Sequence, residues 1–161
     1  MQNQQEFIKI IKENEGIIFK ITLTYAYTKE HQKDLYQEIV YQLWKSFGSF
    51  KGDSKISTWI YRVALNTSIT HLKKEQKKGK TIQFEKVLLN KIDHIDTLMD
   101  ERIQLLYRHI KLLNTIEKGI ILLFLEGKNY NEISEITGFT PTNVGTRLNR
   151  IKQKLKSQII K

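Results

Sequence analysis

Along most of this chain, apolar residues recur every three or four positions, the spacing that gathers them on one face of an α-helix. From about Glu6 to Tyr27, Phe7, Ile11, Ile18, Ile21 and Tyr25 line one side. Gly16 interrupts that pattern without capping it, at a cost relative to alanine. Thr28 is the N-cap of a second helix running to about Phe47, in which Leu35, Ile39, Leu43, Trp44 and Phe47 form a stripe. Ser46 to Ser54 reads as a loop, since Gly48, Ser49, Gly52, Asp53 and Ser54 are turn residues. Phe50 stands alone among them, as an anchor folded onto the core. A third helix begins near Lys55 and runs to about Lys78, with Ile56, Trp59, Ile60, Val63 and Ala64 opening its buried face. A different face carries Arg62, Asn66, Thr70, Lys73, Lys74 and Lys77, polar at first and then basic.

The rhythm weakens from Gly79 to about Thr97, where charges of both signs mix. A linker between two domains is expected there, and a third packed element is the alternative. Periodicity returns from Asp100 to Leu113 through Ile103, Leu106, Ile110 and Leu113. Asn114 and Glu117 have the spacing of a capping box. Ile116, Ile120, Leu123 and Phe124 give the next buried face, and Gly127 closes that helix. Asn129 and Glu132 repeat the capping box, Ile133 and Ile136 with Tyr130 beside them form an apolar face, and Gly138 sits where a helix end favours a left-handed residue. Thr140 then caps a last helix, with Pro141 at its first position. Val144, Leu148, Ile151 and Leu155 make its buried face, while Thr142, Asn143, Thr146, Arg147, Asn149, Arg150, Lys152, Lys154 and Lys156 cover the rest without an acid among them. Two short helices joined by a Gly-containing turn describe a helix-turn-helix. A basic second helix with small polar residues at its start suits a DNA major groove. An ordinary hairpin with a solvated basic face is the plainer reading.

One proline and eight glycines in 161 residues make an all-α protein the expectation. A net charge of +10 favours a polyanionic partner: DNA, RNA or an anionic membrane surface. The longest strongly apolar run, Ile120 to Leu125, is too short to span a bilayer, so no membrane insertion is expected. The first residues lack a signal peptide's basic start and apolar core. With no cysteine there is no disulfide or thiolate metal site, and these absences favour the cytoplasm. His31, His71, His94 and His109 share no metal-ligand spacing, and no catalytic triad or phosphate-binding loop can be argued. The expectation is therefore no metal, no cofactor and no enzyme.

Two blocks together resemble one family. Asp34-Leu35-Tyr36-Gln37-Glu38-Ile39, Leu43-Trp44, Ser49 to Ser54 and Thr58 to Asn66 look like region 2 of a bacterial sigma factor of the extracytoplasmic-function group. Glu126 to Ile133, with Val144, Arg147, Leu148 and Arg150, looks like region 4 of the same group. The resemblance implies a dissociable subunit that directs RNA polymerase to promoters, with region 2 over residues 1–78, a linker over 79–98 and region 4 over 99–161. It implies core RNA polymerase as partner, its clamp helices docking on Asp34, Gln37, Glu38, Leu43 and Trp44. It implies promoter DNA as the second partner. Phe50, Lys51, Gly52, Asp53, Ser54 and Lys55 would form a pocket for a flipped base of the melted −10 strand. Arg62 and Asn66 would contact that strand, and Lys73 and Lys74 its phosphates. The duplex −35 element would meet Thr140, Thr142, Asn143, Thr146, Arg147, Asn149, Arg150 and Lys154. An anti-sigma partner is common in the family, though no residue here demonstrates one.

Two departures stand out. The family often has Lys or Arg at the position of Gly145, so a DNA contact is missing there or the helix approaches DNA more closely. Its common Leu-Pro is Leu112-Leu113 here. Trp44 and Trp59 are expected to pack in the core rather than stack on bases. The alternative to a sigma factor is a stand-alone helix-turn-helix regulator binding a palindrome as a dimer. A helical scaffold kept soluble by its charge is a third reading.

Overall fold

The computed structural model describes residues 2–77 and 101–159, and every regular element among them is an α-helix. The expected linker, residues 79–98, lies outside the described residues. In chain order the helices are α1 (Gln2–Glu13), α2 (Glu15–Tyr25), α3 (Lys29–Phe47), α4 (Ile56–Lys77), α5 (Glu101–Ile110), α6 (Thr115–Leu125), α7 (Tyr130–Thr137) and α8 (Pro141–Ile159). In the N-terminal half α2, α3 and α4 pack on one another, and α1 lies across α2 and α3. In the C-terminal half α8 meets α5, α6 and α7. The halves join where α2 and α4 meet α6, and α4 meets α7.

The single helix expected from Glu6 to Tyr27 is two helices. The break comes from Asn14 rather than Gly16. The Asn14 side-chain amide donates to the Ile10 carbonyl at 2.8 Å, and its backbone N–H reaches the Ile10 and Ile11 carbonyls at 3.1 Å. Its own carbonyl accepts from Ile17 at 3.1 Å and opens α2. A short amide side chain that competes for backbone groups ends a helix in this way.

The other boundaries follow the capping residues. Thr28 Oγ1 accepts from the His31 N–H at 3.0 Å. Both capping boxes close: the Asn114 and Asn129 side chains each accept from a glutamate N–H at 2.8 Å, and Glu117 and Glu132 accept in return. Gly138 takes φ +87°, and Thr140 Oγ1 accepts from the Asn143 N–H at 3.1 Å. A cap contributes about 1 kcal/mol, whereas burying one Leu or Ile contributes about 1.5–3. Packing through Leu35, Ile39 and Leu43, all fully buried, therefore holds α3 more than its cap does.

Two expected core positions are at the surface. Ile103 and Ile116 are 45% and 39% exposed. Helix α6 is wedged between the halves, and Lys118, Gly119, Ile120, Ile121, Leu122 and Leu123 are all buried. A helix buried on every side has no stripe, so a one-face reading misplaced Ile116 at its outer end. Ile103 lies in the first turn of α5, which packs mainly on α8.

Two helical glycines face similar contacts with opposite consequences. A Cβ on Gly119 would lie 3.1 Å from the buried Tyr25 hydroxyl, and one on Gly145 would lie 3.2 Å from the Tyr130 ring. The Tyr25 hydroxyl donates to the Thr115 carbonyl at 2.6 Å and cannot yield without losing that bond. Tyr130 is 41% exposed and can shift. Gly145→Ala is expected to gain up to about 1 kcal/mol of helix propensity, and Gly119→Ala to lose stability despite the same gain. Urea unfolding of both variants checks this; a higher midpoint for Gly119→Ala would contradict it.

Candidate nucleic-acid interface

Helices α7 and α8 with the turn between them form the expected helix-turn-helix. Val144, Leu148, Ile151 and Leu155 are buried, which fixes which side of α8 faces out. Thr140, Thr142, Asn143, Thr146, Asn149, Arg150 and Lys154 are exposed, and Arg147 is half-buried. Not all are equally available. The Thr146 hydroxyl donates back to the Thr142 carbonyl at 3.1 Å. Arg147 Nε donates to Asn143 Oδ1 at 2.6 Å, and its guanidinium carbon lies 4.3 Å from the centre of the Phe139 ring. Lys154 pairs with Glu117 at 3.4 Å. At Gly145 the Tyr130 ring, itself partly exposed, lies 3.2 Å from where a Cβ would be.

The expected −10 residues divide into two groups. Lys51, Gly52, Asp53 and Lys55 are exposed on the α3–α4 loop, Ser54 is half-buried, and Gly52 takes φ +77° to turn it. Phe50 is anchored on Trp59, ring centres 5.0 Å apart, as a lone loop aromatic should be. On α4, Asn66, Thr67, Thr70, His71 and Lys74 line a polar cleft of about 440 Å³ with Glu38 and Gln42 of α3. Lys73 is exposed beside that row. Arg62 points elsewhere: its Nη2 donates to the Glu135 carbonyl of α7 at 2.9 Å.

The residues expected to meet polymerase all lie on α3 and differ in exposure. Leu43 is fully buried. Asp34, Gln37 and Glu38 are exposed, and Glu38 also lines the α4 cleft, accepting from Gln42 at 3.0 Å. Trp59 is in the core as expected, but Trp44 is 45% exposed, its ring tilted against that of Phe7 with centres 5.1 Å apart. Between these helices runs an apolar groove of about 530 Å³ that includes Phe7, Ile8, Gln37, Val40, Tyr41 and Trp44. Ile8 and Tyr41, 45% and 55% exposed, escaped the sequence reading. The signal was the spacing Gln37, Tyr41, Trp44, a second face of α3 beside the buried stripe.

The Sigma-70 region 2 profile matches residues 10–78, and the Sigma-70 region 4 profile matches residues 103–155. The chain belongs to the sigma-70 family, in its extracytoplasmic-function group. It is 29% identical over 160 residues to the RNA polymerase sigma factor SigV of Bacillus subtilis, covering 96% of this chain and 91% of that protein. It is 26% identical over 138 residues to the ECF RNA polymerase sigma-E factor of Escherichia coli K12, covering 78% and 72%. The fold is similar to that of the sigma factor RpoE from Bartonella quintana, solved in complex with the anti-sigma factor NepR. The TM-score there is 0.68 at 16% identity, over 96% of this chain and 94% of that one. A second likeness, at TM-score 0.61 and 16% identity, is to CnrH in complex with the cytosolic domain of CnrY, over 96% and 88%.

In this sigma factor the region 2 and region 4 helices are joined by a small set of polar contacts around α6. Glu126 accepts from Lys20 at 2.9 Å and from the Tyr61 hydroxyl at 3.4 Å. Tyr25 bonds Thr115, and Arg62 bonds Glu135. Beside them lie two buried lysines. Lys118 is 2% exposed, its ammonium 5.7 and 5.4 Å from the Tyr25 and Tyr27 ring centres, and Lys111 is 5% exposed. Burial lowers both lysines to about 8, and for Lys118 the charge of Lys111 adds to the effect. Burial also raises Tyr25 and Tyr61 above the usual phenol value.

The sign of the pH dependence follows. A lysine lowered in the folded state binds fewer protons there than in the unfolded chain, between about pH 8 and its ordinary value. The sigma factor is expected to gain stability from about pH 8 toward pH 10. The gain is lost again as pH falls through 8, and the raised tyrosines oppose it above 10. Lys118→Met, which keeps the aliphatic bulk, should stabilise the protein at pH 7 by on the order of 1–3 kcal/mol and flatten that rise. Urea unfolding at pH 7, 8, 9 and 10 checks both; destabilisation by Lys118→Met at pH 7 would refute this account of the buried charge.

Proposed function

We propose that this sigma factor binds core RNA polymerase in the cytoplasm and directs it to promoters, reading a duplex −35 element with α8 and holding the melted −10 strand along the α3–α4 loop and the α4 cleft. The observation that carries this reading is the pairing, in one chain, of an acid-free helix α8 with a separate polar cleft between α3 and α4, lined by Asn66, Thr70 and Lys74. A duplex reader needs a helix for the major groove, whereas a melted strand needs a pocket and a cationic track. The family membership supports the same division, with region 2 taken as residues 1–78, a linker as 79–98 and region 4 as 99–161. The protein itself does no chemistry; polymerase does.

The docking surface for the clamp helices is the groove of Ile8, Gln37, Tyr41 and Trp44, with Asp34 and Glu38 exposed on α3 as well, rather than the buried Leu43. Large exposed aromatics in an apolar groove are typical anchors of a protein interface. An anti-sigma partner is a further expectation, supported by the similar solved RpoE chain being held in complex with the anti-sigma factor NepR. Opening a base-pair step costs roughly 1.4 kcal/mol, so one captured base offsets only a step or so. Each half alone binds weakly, and fixing both on polymerase supplies the effective concentration that makes the pair selective. Arg62 exchanges the neutral Glu135 carbonyl for a phosphate, a stronger charge-assisted acceptor.

Run-off transcription with purified bacterial core polymerase on a genomic fragment library tests the reading. New start sites sharing −35 and −10 elements are expected only when the protein is added. Asn66→Ala should reduce initiation from duplex promoters and leave co-elution with core unchanged; equal initiation would move the strand site away from the cleft. The double change Tyr41→Ala with Trp44→Ala should weaken core binding by at least about 1 kcal/mol per anchor, measured by competition for core. Undiminished core binding would place the dock elsewhere.

A further inference from the structure

Phe139, which no DNA contact was expected to use, and Asn143, expected on the −35 duplex, together hold one arginine still. Phe139 lies in the helix-turn-helix turn, half-buried. Its carbonyl accepts from the Ser134 hydroxyl and its N–H reaches Thr137 Oγ1 at 3.4 Å, so the turn itself is tied to α7. The Arg147 guanidinium stacks over its ring at 4.3 Å while Nε–H is taken by Asn143 Oδ1 at 2.6 Å. A stacked plane with one edge occupied has little rotational freedom left. Of the five guanidinium N–H groups, the four on Nη1 and Nη2 remain, a two-pronged end that matches two oxygens of one anion.

The position on α8 decides which anion. Arg147 follows Val144 by three residues and precedes Ile151 by four, so it sits at the flank of the buried face, on the side of the turn. Thr142, Thr146 and Asn149 lie opposite that face and point away from the protein. In a helix-turn-helix the outward face meets base edges, and the flanks beside the turn run along the phosphates. We infer that Arg147 is a fixed phosphate fork that sets the register of α8 on the −35 duplex, and that Phe139 and Asn143 are its positioning residues. The inference rests on the −35 reading of α8 proposed above. It separates Arg147 from the base-reading residues with which the sequence had grouped it.

A phosphate contact and a base contact differ in their salt dependence and in their sequence dependence. The experiment uses the holoenzyme, formed from core polymerase and the full chain, with a short duplex carrying only the −35 element found by run-off. Affinity is measured from about 50 to 200 mM salt, the range over which released counterions dominate. Arg147→Ala should lower affinity roughly tenfold at the low-salt end. It should also reduce the slope of log affinity against log salt by about 0.9, one phosphate's worth. The ranking of single-base variants of the element should not change. Phe139→Leu and Asn143→Ala should move affinity and slope the same way by smaller amounts, and Phe139→Tyr, which restores the ring, should return both. Asn143 is exposed, so its variant tests the fork even if Phe139→Leu unfolds the turn. Loss of preference at one base position in Arg147→Ala would make it a base reader and overturn the proposal, as would unchanged slopes in all three variants. Failure of the −35 reading itself looks different: the wild-type holoenzyme would bind its element no better than a scrambled duplex.

Discussion

The hydrogen bond from the buried Tyr25 hydroxyl to the Thr115 carbonyl is the constraint around which the two halves are arranged. It ties the last turn of α2 to the first turn of α6, ninety residues later in the chain. A buried phenol must find an acceptor, because leaving it without one costs about 1–3 kcal/mol. Thr115 can offer its carbonyl only if α6 comes close. That approach requires Gly119 one turn on, where a Cβ would press on the same hydroxyl and approach Leu65 of α4. The close packing in turn buries Lys118 against the Tyr25 and Tyr27 rings. A helix otherwise made for a core therefore carries an ammonium that the interior disfavours.

The joint is consequently a compromise between apolar burial and electrostatic cost. Its one described ion pair, Lys20 with Glu126, has the lysine side chain 48% exposed and contributes little. The cation–π contacts of Lys118, each worth about 2 kcal/mol at a desolvated site, recover part of its desolvation cost. The balance resembles the interfaces between domains that separate and rejoin more than a permanent core. Arg62 shows why that matters. The side chain expected on the −10 strand is spent on the backbone of α7, so under the proposed −10 reading strand binding would compete with this contact between α4 and α7 for one guanidinium.

Much of this was legible in the sequence, because helix signals are local. The capping boxes at Asn114 and Asn129, the αL glycine at 138 and the buried row from Val144 to Leu155 all follow from residues within one turn of each other. The N-terminal break was less so: the effect of the Asn14 amide depends on which carbonyl it reaches, and spacing does not tell. Tertiary facts failed more often. Leu43 sits in a motif position that suggested a docking contact, but a helix has several faces, and Leu43 is on the one that α3 turns to the core. Ile116 failed for the opposite reason, since α6 has no solvent face over most of its length.

The missing basic residue at 145 shows how local and tertiary constraints trade. Read alone, glycine there suggests either a lost contact with DNA or a closer approach to it. In the fold, the ring of Tyr130, the first residue of α7, lies on α8 close to where a side chain would start. The two helices of the motif are thereby held by a ring-on-backbone contact in addition to Ile133, Ile136, Val144 and Leu148. With no side chain at 145, the cations of α8 lie at Arg147, Arg150, Lys152, Lys154 and Lys156. Lys152 is drawn over the Phe124 ring at 4.0 Å, and Lys154 to Glu117. Arg150 and Lys156 are exposed, and Arg150 lies beside the outward row of Thr142, Thr146 and Asn149. A helix with few free cations has a small electrostatic term toward a polyanion, so on the −35 reading proposed above discrimination would rest on those short polar side chains and on being held in place by polymerase.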